Sequence, residues 1–451
     1  MRDDLGLDIA TSAAACVEAL SAAREAHLGF RADAARHVNA AIAADPDCVL
    51  AQVMKGYMAM LLSNTAVLGA VDQRIAAARR SEARATPRER LHLEALTAWR
   101  GGRVAAALAA WEAILAAHPG DLTALRLSHF AYFWNAGDPA AMRASVERVL
   151  PHWPDGRPGQ GWVLGMHGFA CEESGDLAQG ERQARRATQL EPADLWSVHA
   201  AAHVMEMQGR HAEGADWIAA AAPRFEGATN FRFHLAWHRA LFLLEGGGRA
   251  DLLEVYDGSV RDHASPLVQG QPDLYIDIQN AASLLLRLEL LGVDPGARWI
   301  ELADRAEKRI GDHLIPFTLP HWMMALAAAG RREACAALID AMRAHAAAAA
   351  DDDAQVVGRV ALPAVEAVLA HRRGDHGAVL AALLPVRHEL GRLGGSHAQR
   401  DILWQIMADA ALASGDAGLA RRLVAEVAAA RAPWPVPGFY RALLARPAAV
   451  M

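Results

Sequence analysis

Glycine-centred turns recur along this 451-residue chain, at Gly101-Gly102, Gly137-Asp138, Gly175-Asp176, Gly209-Arg210, Gly246-Gly247-Gly248, Gly292, Gly330-Arg331, Gly374-Asp375 and Gly415-Asp416. Their spacing, roughly 34 to 45 residues, is that of helical-hairpin repeats. Between the turns the sequence is rich in Ala, Leu, Arg and Glu, apolar residues return at helical spacing, and no alternating β-branched stretch interrupts them. An all-α chain follows, in which each unit is a first helix, a glycine turn supplying positive φ where that helix ends, and a second helix.

The clearest unit runs from Gly161 to Pro192. Ala178, Ala184 and Ala187 offer small contact surfaces for close helix packing, and Pro192 stops the second helix before the next unit opens at Asp194. This unit resembles the tetratricopeptide repeat. Similar endings at Ala44-Asp45-Pro46-Asp47 and Ala117-His118-Pro119-Gly120-Asp121 place further repeats. The expected fold is an α-solenoid of tetratricopeptide-like hairpins curled around a concave pocket. The hairpins form one continuous array over residues 1–435, regular to about 220 and degenerate after, and a C-terminal cap or tail covers 436–451. Ala346–Ala350 followed by Asp351-Asp352-Asp353 reads as a loop or frayed helix end between repeats.

Charge narrows the function classes. Lys plus Arg total 45 against 52 Asp plus Glu, a net charge of −7, so the broad positive field of a nucleic-acid binder is missing. The start lacks a basic, apolar secretory signal, and the apolar stretch Leu314–Gly330 is broken by Pro316, Pro320 and His321. A cytoplasmic protein without a membrane partner is expected. Cys16, Cys48, Cys171 and Cys335 form no CxxC pair and read as buried, reduced thiols.

Chemistry concentrates on the first helices. Trp196, His199, His203 and Glu206 fall on one helical stripe, where repeat folding alone asks for small and apolar residues. His234, Trp237 and His238 follow on the next first helix, then Asp277, Asn280, His321, and Arg400 with Asp401 behind the turn Gly394-Gly395-Ser396. His203 suits a general base oriented by Glu206, with His238 or His199 as opposing acid, His234 beside them, and Trp196 and Trp237 as apolar walls. Arg400 would anchor an anion, Asp277, Asn280, His321 and Asp401 lining the facing side; the alternative for Ser396 is a plain helix cap. The two His-x-x-x-His pairs, His199/His203 and His234/His238, also offer a metal ion nitrogen ligands, one pair completed by Glu206 or Asp277, although no HExxH motif is present. His92 reads as a solvent-facing or interface residue.

Together these residues, with Gln399-Arg400-Asp401, are similar to the tetratricopeptide repeat protein 38 family over roughly residues 20 to 430. The resemblance implies an α-solenoid and singles out residues without naming a reaction. Two readings follow from the residues. In the first, the inward helices hold a small polar, anionic molecule, with His acid/base chemistry of the isomerase, lyase or hydrolase kind, metal-assisted in one version. In the second, an open groove takes a peptide or partner helix as an interaction scaffold.

Overall fold

The computed structural model describes residues 1–248, 251–348 and 351–445. Helices dominate, and no strand occurs among the described residues, where β pairing is limited to the isolated bridges Arg2–Asp8 and Arg31–Ala228. No helix among these residues is long and apolar enough to cross a membrane.

Every glycine turn read from the sequence contains a residue at positive φ, from +58° at Gly137 to +88° at Gly247. The Gly-Asp pairs do two jobs at once. Gly175, at φ +85°, ends the helix Gln160–Glu173 in a conformation that a side chain would strain, and Asp176 caps the next helix, Leu177–Leu190, by accepting from the N–H of Gln179 at 3.1 Å. Asp138, Asp375 and Asp416 cap their helices in the same way. Between the two helices of this hairpin the backbones meet at Gly168, where a Cβ would lie 2.8 Å from the Ala184 nitrogen and 3.0 Å from the Gly180 carbonyl. Ala184 and Ala187 are buried in this seam as expected; Ala178 is exposed, and Gly180 makes the close approach instead.

Internal packing divides the chain into two compact units. The first comprises residues 1–201 and 221–231, the second 202–220 and the chain from 232 onward. Consecutive helices pack as pairs inside each, for example Ala14–Leu28 with Ala34–Ala44 in the first unit and His397–Ala413 with Ala417–Arg431 in the second. Trp111, Trp153, Trp162, Trp299 and Trp322 fill these cores, and the four cysteines are buried thiols. The alanine run continues the helix Arg332–Ala348, residues 349–350 lie outside the described residues, and Asp351 caps the helix that follows. Of the expected C-terminal cap, Gly438–Leu444 is a short helix and 446–451 lie outside the described residues.

Candidate functional site

Five helices carry the candidate residues: Leu195–Met207, Phe231–Glu245, Tyr275–Leu290, Thr318–Ala328 and His397–Ala413. The first crosses the unit boundary. Trp196 and His199 therefore belong to the first unit, and His203 and Glu206, one and two turns further along the same helix, to the second. All candidates are buried except Arg400 and Asp401, which are half-buried.

Within the second unit, His203, His234 and His238 come together, with ring nitrogens that all lie within 4.8 Å of one another. His234 and His238, one turn apart, face each other Nε2 to Nε2 at 3.2 Å, and the rings of His203 and His238 tilt at 4.6 Å between centroids. Asn280 Oδ1 accepts from His234 Nδ1–H at 2.9 Å, which leaves the His234 Nε2 lone pair aimed at His238. Trp237 stacks on His234 at 5.4 Å and 13°, and its indole N–H donates to Ser283 Oγ at 3.1 Å. Trp237 thus fixes the His234 ring plane from one side while Asn280 fixes its tautomer.

Burial favours the neutral form of His234 and His238. It pulls His234 down to about 3, against the Asn280 hydrogen bond that favours the charged form, and holds His238 well below the usual histidine value, with His203, His234 and Arg287 adding to the effect. His238 or His199 is the opposing acid the sequence offers, and burial disfavours the protonated form of His238.

Around the trio lies a charged set spread over distant parts of the chain. Burial pushes the Glu206 carboxyl up; Arg431 and Arg287 oppose that and Asp401 adds to it. Arg287, fully enclosed, donates to the carbonyls of Ser283 at 3.2 Å and Ala398 at 2.8 Å, and its guanidinium lies 5.7 Å from the Trp237 ring. Asp401 accepts from Tyr440 at 2.6 Å and from Gln405 at 2.7 Å, and Arg431 donates to the Glu206 carbonyl. Arg287, Arg431 and Tyr440 were invisible to helix-stripe reasoning; for Arg287 the signal was a lone charge inside the apolar run Ala281–Leu288.

His321 and the turn at Ser396 make contacts of their own. His321 donates from Nδ1 to its own helix, at Phe317 O 2.9 Å away, and burial pulls it down to about 4. Asp277 is buried on the Asn280 helix, three residues earlier. Ser396 and Gln399 form a reciprocal capping box, which takes up the N–H groups offered to an anion, and Arg400 turns back to the Gly395 carbonyl. In the first unit, His199 stacks on Phe169 at 5.3 Å beside Trp196, whose indole donates to His129 at 3.2 Å. His92 is not solvent-facing but fully enclosed, held by Asp121 and Tyr57.

Among the described residues, the buried polar atoms Asn280 Nδ2, Gln279 Oε1, Glu206 Oε2 and Gln405 Oε1 of the second unit have no hydrogen-bond partner. Interiors rarely leave such groups unmet without a ligand, ion or water to meet them. The second unit thus contains a His grouping that could hold a metal ion. No family model matches the chain.

Proposed function

We propose that the second unit is a metal-dependent site for a small polar, anionic molecule, in which His203, His234 and His238 hold a divalent transition ion, zinc before others. The observation that carries this reading is the 3.2 Å approach of two neutral imidazole nitrogens, with a third imidazole beside them. Nitrogens bound to tetrahedral zinc at about 2.0–2.1 Å stand roughly 3.3 Å apart, so His234 and His238 already sit at the edge length of such a site. Asn280 supports it by holding the His234 proton on Nδ1, as metal-binding imidazoles are commonly held through the nitrogen that faces away from the ion. For the ion to bind, His238 turns its proton to Nδ1 and Nε2 is released from the imidazole pair.

An ion held there would supply Lewis acidity and a bound water that ionises near neutral pH. Glu206, one turn beyond His203 and pushed up by burial, is placed to carry a proton, and the enclosed Arg287 guanidinium supplies the positive field that favours an anion. We read the chain as a tetratricopeptide repeat protein 38-like array, a reading supported by its paired helices and glycine turns.

The test is metal analysis of the purified full-length protein, followed by cobalt loading of the stripped form. One equivalent of cobalt with a visible spectrum of nitrogen-rich, four- or five-coordinate geometry, lost in His234→Ala and His238→Ala and kept in His321→Ala, is the expected result. Absence of stoichiometric cobalt, or an unchanged spectrum in His234→Ala, overturns the reading.

A further inference from the structure

Arg126, on the helix Leu122–Ala131 of the first unit, is completely enclosed, yet among the described residues its Nε and Nη1 have no hydrogen-bond partner. Three N–H bonds of one buried cation are thus unmatched. Its remaining nitrogen, Nη2, donates to the Leu28 carbonyl at 3.3 Å and stands 4.0 Å from Asp194 Oδ1. The guanidinium carbon lies 5.6 Å from the Phe30 ring, 5.3 Å from Phe130 and 5.5 Å from Trp196, so the cation is walled by three π faces.

His129, one turn further on, adds a fourth unmatched donor. Trp196 N–H donates to its Nε2, which places the ring proton on Nδ1, and that atom also has no partner. Donors thus outnumber acceptors here. Asp194, the carboxylate nearest the guanidinium, does not make up the difference: burial pushes it up to about 7 even with Arg126 nearby, and its Oδ2 lies over Gly165, where a Cβ would come within 2.3 Å. At 4.0 Å, Asp194 only partly balances the guanidinium among these aromatic rings.

We infer that the Arg126 cage is a binding site for a small monocarboxylate with a flat apolar body, its oxygens on Arg126 and His129 and its body against Phe30, Phe130 and Trp196. One buried cation balances one negative charge. Phosphate dianion is disfavoured, because His129 and His27 are both held neutral by burial and offer no second charge. The inference is independent of the metal site, since all of these residues belong to the first unit.

Calorimetric titration and thermal unfolding of the metal-stripped full-length protein test it, with benzoate and phenylacetate as probes and benzamide and inorganic phosphate as comparisons. One equivalent of benzoate or phenylacetate binds and raises the melting temperature, while benzamide and phosphate bind at least tenfold more weakly. Arg126→Met loses at least tenfold in carboxylate affinity; should that variant fail to fold, Arg126→Lys, which keeps the charge and loses the fork, weakens it at least fivefold. Failure of both carboxylates to bind, equal binding of benzamide, or an unchanged affinity in the variant that folds overturns the inference.

Discussion

Two buried polar centres of this molecule have similar burial and opposite completeness. In the first unit, Asp121 accepts from Arg88 at 2.6 Å, from His92 at 3.0 Å and from the Ala124 N–H at 2.9 Å, while Tyr57 takes the His92 carbonyl at 2.7 Å and receives Trp111 at 3.1 Å. The polar side-chain atoms of Asp121, His92, Tyr57 and Trp111 all have partners. In the second unit, His234 and His238 face each other across 3.2 Å, and the amides and carboxylate around them keep polar atoms that are unmet. A finished network is what a fold needs to tolerate buried charge; an unfinished one is what a ligand needs to find.

The sharpest way to break this comparison is to remove one partner from each centre. Asp121→Ala leaves the buried Arg88 guanidinium without its acceptor and is expected to cost roughly 3–5 kcal/mol in denaturant unfolding. In metal-stripped protein, His238→Phe, an apolar ring of similar shape, is expected to stay within about 1 kcal/mol of wild type, because it withdraws one member of a network that is already incomplete. Equal losses would erase the distinction.

Acid titration separates the centres by sign. Burial alone would raise the Asp121 carboxyl, but His92, Arg88 and the backbone N–H of Ala124 outweigh it and hold it well below the usual carboxylate range. Its contribution is therefore present above the unfolded-state value, about 3.9, and is lost as pH falls below it, so Asp121→Asn flattens the acid limb of the stability curve. Glu206 is raised, so its burial costs stability as pH climbs from about 4.3 toward its native value. Glu206→Gln in metal-stripped protein should gain stability relative to wild type at pH 8 and show no such gain at pH 4.

Asn280→Ala sharpens the claim that the unfinished centre is preorganised. It frees the His234 tautomer and is expected to weaken zinc about 10- to 100-fold in a competition titration, with Asn280→Asp recovering most of the loss by accepting the same N–H. The smallest effect belongs to Ser396→Ala. It removes one half of the capping box, costs about 1 kcal/mol in thermal unfolding, and leaves zinc affinity unchanged if that turn is only a cap.

The turns were legible in the sequence because glycine is the residue that accepts positive φ at a helix end, and the Gly-Asp pairs at 175–176 and 415–416 carry both halves of that requirement in adjacent letters. His234 and His238 were legible as a pair for a similar reason, since four residues on a helix is a fixed geometry. Contacts between distant segments were not. Arg431 reaches the Glu206 carbonyl across 225 residues, and Tyr440 reaches Asp401 across 39, distances over which no periodicity speaks. His92 shows the same limit from the other side: its partner, Asp121, is the cap of a helix 29 residues later, and nothing in its own neighbourhood announces that.

X-ray absorption of the zinc-loaded full-length protein tests the central claim most directly. Three imidazole nitrogens at about 2.0–2.1 Å, falling to two in His234→Ala, is the predicted outcome. A zinc shell without imidazole scattering, or one that His234→Ala leaves intact, would contradict it.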